Sequence, residues 1–343
     1  MATMRAAFCT AREQLEVREV PEPIPGPGEV VVRVRSCGIC GSDLHFFHGA
    51  LPPPAVCPGH EISGEVYEVG QGVDLHPGDR VAVEPLVVCR ECVYCRTGDY
   101  QLCRRFQLLG AMVDGGFADY VRVPGYAVFP LPATVDCEVG ALTEPLAVTV
   151  HAVRLAPVRL GQRVLVLGAG TIGLLAVATA RAAGATDVWI TARHPQQRAA
   201  ATALGASRVF TDPADGGTLA AAAHEHPVDV VIETVGGTAD TLTDAVQYVR
   251  PGGTVTVLGV FSTMPTVNAL SLLMKEIRVV GSLTYGRPDP QADFEIALQL
   301  LAADPERYRP IITHRVPLDD IRRGFALAGD KRAGSIKVAV TPG

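Results

Sequence analysis

The sequence has no excess of positive charge: 30 Lys and Arg face 36 Asp and Glu, a formal net charge of −6 over 343 residues. A nucleic-acid or anionic-membrane surface needs a basic patch, so both kinds of partner are disfavoured. Long apolar runs are missing as well. The longest uncharged one, Val164 to Ala180, is interrupted by Gly168, Gly170 and Gly173. It is short for a membrane span and reads as a strand, a turn and a helix. The opening MATMRAAFCTAREQ lacks the apolar core of a signal peptide. No internal repeat or low-complexity segment is evident. Together these absences lead us to expect a soluble, cytoplasmic protein. Cysteine, finally, is absent after Cys137: all nine (Cys9, Cys37, Cys40, Cys57, Cys89, Cys92, Cys95, Cys103 and Cys137) lie before it. An odd count in a long chain without a signal peptide argues against a disulfide framework.

What is present supports an ordered, multi-domain chain. Hydrophobic residues make up 48% and charged ones 19%, enough to build sizeable cores. The 35 glycines and 26 prolines imply many turns. At about 100–200 residues per domain, two domains are expected. Residues 1–150 alternate valines with Pro/Gly turns: Glu29–Arg35, Gly64–Val69 and Gly78–Val83 read as short strands of a mostly β, barrel-like domain. From about 160 the texture changes. Arg163–Leu167, Val188–Thr191, Arg208–Phe210, Val228–Ile232, Thr254–Leu258 and Ile277–Val280 read as six strands. Helical segments separate most of them (one from the glycine turn to about Ala183, then 196–204, 218–225, 238–248 and 268–275). This alternation predicts a doubly wound parallel sheet over 151–285. After Gly286 one helix (Asp293–Ala302) and one strand (Ser335–Val340) are expected, too little for a domain, so 286–343 should return to the first.

Gly168-Ala-Gly170-Thr171-Ile172-Gly173 follows a strand and opens a helix. The first glycine permits the tight turn, the second lets the backbone approach a pyrophosphate, and the third lets helix and strand pack closely. In that context the motif predicts dinucleotide binding. An acid about 20 residues further on would accept the ribose 2′-hydroxyl of NAD. Ala192 stands there instead, followed by Arg193. A guanidinium beside a missing acid favours the 2′-phosphate of NADP(H), with His194 and Arg198 as further candidates for the same pocket. Alternatively, Arg193 stacks on adenine or faces solvent.

Cys89-x-x-Cys92-x-x-Cys95-x7-Cys103 puts four thiols in one loop. Such spacing suits a closed tetrahedral zinc site of structural role better than an iron–sulfur cluster or free thiols. A second set is dispersed: Cys37-Gly-Ile-Cys40-Gly-Ser42-Asp43-Leu-His45, then Gly59-His60-Glu61, then Leu142-Thr-Glu144-Pro-Leu. A thiolate, an imidazole and one or two carboxylates would leave a position for water or substrate, as in catalytic zinc. No spacing rule alone joins them.

On these residues the chain resembles the zinc-containing medium-chain alcohol dehydrogenase family along essentially its whole length. The matching motifs are GICGSDLH (38–45), PGHE (58–61), the four-cysteine loop, GALTEPLAV (140–148) and GAGTIG (168–173). It is most similar to the polyol (sorbitol), butanediol and threonine dehydrogenase branch, because Glu144 stands where short-alcohol enzymes usually carry a cysteine ligand. The resemblance implies a GroES-like catalytic domain followed by a Rossmann domain, and a zinc-dependent dehydrogenase holding two zinc ions per chain. It implies Cys40, His60 and Glu61 as ligands of the catalytic zinc, with Glu144 binding directly or through water and Asp43 steadying a ligand. Cys37 is a weaker alternative to Cys40. Cys9, Cys57 and Cys137 are expected to be bystanders, and His48, His76, His151 and Asp79 to be structural or exposed.

The expected chemistry is hydride transfer between NADP(H) and a secondary alcohol or ketone, with Ser42 and His45 passing the alcohol proton outward by way of the cofactor ribose. Phe46, Phe47, Phe117 and Tyr285 are candidate walls of the substrate pocket, or equally ordinary core. The expected partner is a small alcohol or ketone substrate, and a homodimer or homotetramer is anticipated. A non-catalytic nucleotide-binding protein or a zinc-free quinone reductase would share the fold, but neither would need Cys40, Ser42, His60, Glu61 and Glu144 together.

Overall fold

The computed structural model describes residues 2–211 and 216–343. The chain divides into two compact units, residues 1–144 with 286–343, and residues 145–285. The helix Thr143–Leu155 runs across position 150, and the division falls after Glu144.

The first unit is built on a seven-stranded sheet. Its path runs Ile312–Pro317, Lys337–Thr341, Glu29–Gly38, Glu61–Val69, Arg80–Val83 and Val128–Pro130, with Tyr120–Pro124 also pairing Glu29–Gly38. Alternate valines face inward: Val30, Val32, Val34, Val66, Val81 and Val83 join one core with Phe117, Phe325 and Ile62. Period-2 patterning therefore explains both the strands and the face they bury.

Sequence reading saw too little after Gly286. Besides the helix Asp293–Ala303, the segment carries the strand Ile312–Pro317 and the helix Ile321–Gly329. That helix buries Ile321, Gly324, Phe325 and Ala328, an i, i+3, i+4, i+7 face. The periodicity was legible, but two glycines in a nine-residue helix weaken its propensity.

The second unit is a six-stranded, wholly parallel sheet in the order Arg208–Phe210, Asp187–Thr191, Arg163–Leu167, Val228–Glu233, Val249–Val257, Arg278–Gly281. Continuous apolar runs such as Val164-Leu-Val-Leu167 are buried on both faces, as parallel strands covered by helices require. The strand order reverses between Arg163–Leu167 and Val228–Glu233, so a crevice opens at their carboxyl ends.

Candidate active site and metal centres

The four-cysteine loop is organised by its own backbone. Cys92 precedes the short helix Val93–Thr97, which Gly98 ends with φ +90°. A Cβ at Gly98 would lie 1.9 Å from the carbonyl oxygen of Arg287, so this tight packing requires glycine. The sulfurs converge: Cys103 to Cys89 at 3.5 Å, Cys92 to Cys95 at 3.6 Å, Cys89 to Cys95 at 3.8 Å. Backbone N–H groups of Cys92 and Cys89 donate to the Cys89 and Cys103 sulfurs, each at 3.4 Å. Such bonds favour thiolates. The Cys89 thiol is drawn down to about 6, first by the Cys92 amide, while burial pushes Cys95 up to about 12. Four converging sulfurs and amides aimed at them fit a structural zinc.

The dispersed set comes together as well. Cys40, at the end of the segment following the strand Glu29–Gly38, caps the helix Gly41–Phe47, and its N–H donates to Asp43 Oδ2 at 2.9 Å. Gly59 turns with φ +97° where a Cβ would strike the Cys37 sulfur and the Phe117 ring, and so delivers His60. Glu61 opens the next strand opposite Gly38, where a Cβ would lie 1.8 Å from Glu61 Oε2. The two glycines are thus part of the site's construction. Ligand atoms of Cys40, His60 and Glu61 lie within 4.8 Å of one another.

Around them sit groups that orient the set. Asp43 is fully buried and presents Oδ1 to His60 Nδ1 at 3.8 Å, leaving Nε2 for a metal. Lys337, also buried, donates through Nζ to Glu61 Oε1 at 2.6 Å and to the Ile39 carbonyl at 2.9 Å. Sequence reading missed Lys337: nothing in SIKVAV distinguishes a buried lysine on a strand from an exposed one. Glu61 Oε2 and Asp43 Oδ1 are buried without a hydrogen-bond partner among the described residues. Burial pushes the His60 imidazolium down, but Asp43, Cys40 and Glu144 outweigh it and raise it well above its ordinary value. Burial likewise opposes the Lys337 charge, and Glu61 more than restores it. Negative groups thus focus on one buried point, and a thiol, an imidazole and an unengaged carboxylate oxygen face it. That arrangement fits a divalent zinc. Glu144 is buried nearby and its charge acts on His60, but it lies outside the 4.8 Å group.

Ser42 and His45 stand one turn apart on the Gly41–Phe47 helix, both half-buried. Of the four aromatic candidates, Phe46 is half-buried, while Phe47, Phe117 and Tyr285 are buried. Phe47 and Phe117 lie in the core, one of the two readings left open for them. Their rings pack on Phe325 at 5.0 and 5.7 Å, the latter edge-on, because the Ile321–Gly329 helix that sequence reading missed covers them. Tyr285, with no accessible surface, is likewise no exposed wall.

In the second unit Gly168 has φ +98°, and a Cβ at Gly173 would meet the Gly168 carbonyl oxygen at 2.0 Å. Gly170 caps the helix Thr171–Ala182, which starts at Thr171 and Ile172. The Gly168 N–H donates to Thr191 Oγ1 at 2.9 Å, tying the turn to the end of the neighbouring strand. There Ala192 is buried, Arg193 is exposed, and Arg198 donates to the Arg193 carbonyl at 2.9 Å. Two guanidinium-bearing residues therefore flank the position from which an acid is missing. Among the described residues no helix is long and apolar enough to cross a membrane.

The family described as alcohol dehydrogenase GroES-like domain matches residues 26–133, and that described as zinc-binding dehydrogenase matches 171–303. Sorbitol dehydrogenase of Halalkalibacterium halodurans is 36% identical over 334 residues, 95% of each chain. (R,R)-butanediol dehydrogenase of Bacillus subtilis is 34% identical over 358 aligned positions, covering 99% of this chain and all of its own. A Sinorhizobium meliloti protein of the zinc-binding dehydrogenase type, solved bound to NADP, superposes with a TM-score of 0.89 at 36% identity, covering 100% of both chains.

Proposed function

The chain belongs to the zinc-dependent alcohol and polyol dehydrogenase family, and on that premise we propose that it transfers a hydride between NADP(H) and a secondary alcohol/ketone pair. The substrate class we propose is a polyol, a diol or a similarly hydroxylated compound. The observation that carries the reading is the convergence of Cys40, His60 and Glu61 beside the Ser42–His45 helix face. The branch assignment draws on Glu144 and on the sorbitol and butanediol relatives.

Cys40, His60 and Glu61 would hold the catalytic zinc with Glu144 close by, and Cys89, Cys92, Cys95 and Cys103 the structural one. When bound, zinc polarises the alcohol oxygen and eases loss of its proton, and the nicotinamide accepts or returns the hydride. The Ser42 hydroxyl would accept that proton while passing its own on towards the His45 imidazole, one helical turn on, which releases a proton to water. Lys337 holds Glu61, and the Asp43 carboxylate faces the His60 ring, so the ligand set is preorganised rather than recruited. The turn 168–173 receives the pyrophosphate on backbone N–H groups, and Arg193 with Arg198 grips the 2′-phosphate.

A homo-oligomer is part of the proposal. The edge strand Arg278–Gly281 and the adjacent helix Ala269–Lys275 expose Val279, Leu270, Leu273 and Met274. So much apolar surface beside an open edge supports a second copy of the chain as its cover. Light scattering on wild type and Leu273→Glu checks this: a monomeric wild type would remove it.

The deciding experiment measures zinc content and kcat/KM over a panel of polyols, vicinal diols, amino-alcohols and their ketones, with NADP+ and NAD+. Two charge-assisted hydrogen bonds predict a preference for NADP+ of roughly 30- to 1000-fold. Arg193→Ala should lower NADP+ efficiency much more than NAD+. Ala192→Asp with Arg193→Leu should reverse the preference. Equal efficiencies in wild type would overturn the cofactor reading, and oxidation of no alcohol in the panel would overturn the substrate class.

A further inference from the structure

Glu233 is a carboxylate with no surface exposure at the end of the Val228–Glu233 strand, at the crevice where the strand order reverses. An ionised group buried this completely is costly unless it is hydrogen-bonded. Its Oε1 accepts from the Val235 N–H at 2.8 Å, the Gly236 N–H at 3.0 Å and the Thr241 hydroxyl at 2.7 Å. Its backbone carbonyl accepts from the Leu258 N–H at 2.9 Å. The next residue, Thr234, donates its hydroxyl to the Leu167 carbonyl at 2.8 Å, just before the glycine turn. Gly236 and Gly237 take φ +61° and +62°, and Gly236 lies so close to Val260 that a Cβ would sit 2.6 Å from its backbone. At Gly259 a Cβ would lie 2.3 Å from Glu233 Oε2. Glu233 thus fastens the loops that follow two adjacent strands, and its neighbour Thr234 ties them to the end of a third.

A dinucleotide spans such a crevice. Its adenosine half lies towards the Asp187–Thr191 strand and its pyrophosphate at the glycine turn, so the other half extends over the loops after Val228–Glu233 and Val249–Val257. We propose that Glu233 is a positioning residue that preforms the wall for the nicotinamide half of the cofactor, so that it sets affinity for whole dinucleotides and not for their adenosine half. This rests on the cofactor reading above.

Calorimetric titration of holoenzyme with NADP+, NAD+ and adenosine 2′,5′-bisphosphate tests it, using wild type, Glu233→Ala and Glu233→Gln. Glu233→Ala should weaken both dinucleotides by one common factor, roughly 30-fold, and leave the bisphosphate within about twofold. Glu233→Gln keeps an oxygen for the three donors and should recover most of the loss. If Glu233→Ala does not fold, Thr241→Val, which removes one donor, should give the same pattern at roughly fivefold. Parallel weakening of fragment and dinucleotides would mark general damage and overturn the proposal, as would no change in any of the three. A wild type that binds the bisphosphate but neither dinucleotide would overturn this inference and the proposed function together, whereas unchanged variants beside a binding wild type would overturn this inference alone.

Discussion

The two candidate metal centres are built in opposite ways, one from four sulfurs and the other from a thiol, an imidazole and a carboxylate. In the four-cysteine loop every donor comes from one short segment, half-exposed for the most part, and the loop's own amides polarise the sulfurs. The Cys40–His60–Glu61 centre draws its donors from a helix cap and a strand start. Asp43 on the same helix faces His60, and Lys337 from the far end of the chain balances Glu61. The local centre needs little beyond its own loop to form. The dispersed one exists only when the seven-stranded sheet is assembled, and it keeps a carboxylate oxygen unengaged. A closed site stabilises, whereas an open, preorganised one can act on a substrate.

The largest effect should separate the two centres outright. Cys40→Ala or His60→Ala should reduce kcat/KM by at least about 1000-fold while circular dichroism and Tm stay near wild type. Cys92→Ser should do the reverse, with a lowered Tm or poor recovery of folded protein. Equal loss of Tm in both would erase the distinction.

Lys337 offers the sharpest energetic test. In protein stripped of metal, Lys337→Met leaves the Glu61 charge buried and unpaired, and denaturant unfolding should show a loss of about 3–5 kcal/mol. Adding Glu61→Gln should restore most of that loss without restoring activity. If the single variant is as stable as wild type, the pair does not tie the C-terminal strand to the site as argued.

Zinc release distinguishes the centres by lability. Chelator treatment followed by atomic absorption should remove one zinc per chain quickly, in step with activity, and the second slowly. A single phase for both ions would mean that enclosure by four sulfurs confers no protection.

The smallest effect concerns Glu84, buried at the end of the Arg80–Val83 strand and near the cysteine loop. Burial pushes its carboxyl from 4.5 up to about 8, against the Tyr100 hydroxyl that bonds it. The folded state therefore binds more protons than the unfolded one across that interval, so stability falls as pH rises from about 4.5 to 8. Glu84→Gln should remove this loss, a gain of about 1–3 kcal/mol at pH 8 and none at pH 4. An unchanged pH profile of Tm would show that Glu84 titrates normally.

Legibility followed the range of the physics involved. Strand and helix positions between Arg163 and Gly281 were readable because buried parallel strands are continuous apolar runs and each glycine turn sits between them. The cysteine loop was readable from spacing alone. The dispersed candidates were connected only through resemblance, because residues 40, 60 and 144 share no local pattern. The rings of Phe47 and Phe117 could not be placed, since an aromatic on a core and one on a pocket wall look alike until their cover is known.

By itself, then, the order of residues determined what depends on neighbours in the chain: the alternating valines of the first unit, the glycine turn at 168–173, the four-sulfur loop and the missing acid at Ala192. Tertiary structure decided everything that depends on which charge meets which. It set Lys337 against Glu61, turned Asp43 towards His60, left Glu144 outside the tight group and gathered the loops after two strands on Glu233. The reason is electrostatic: a buried charge is tolerable only beside a partner, and here those partners come together only when strands far apart in sequence pair in one sheet.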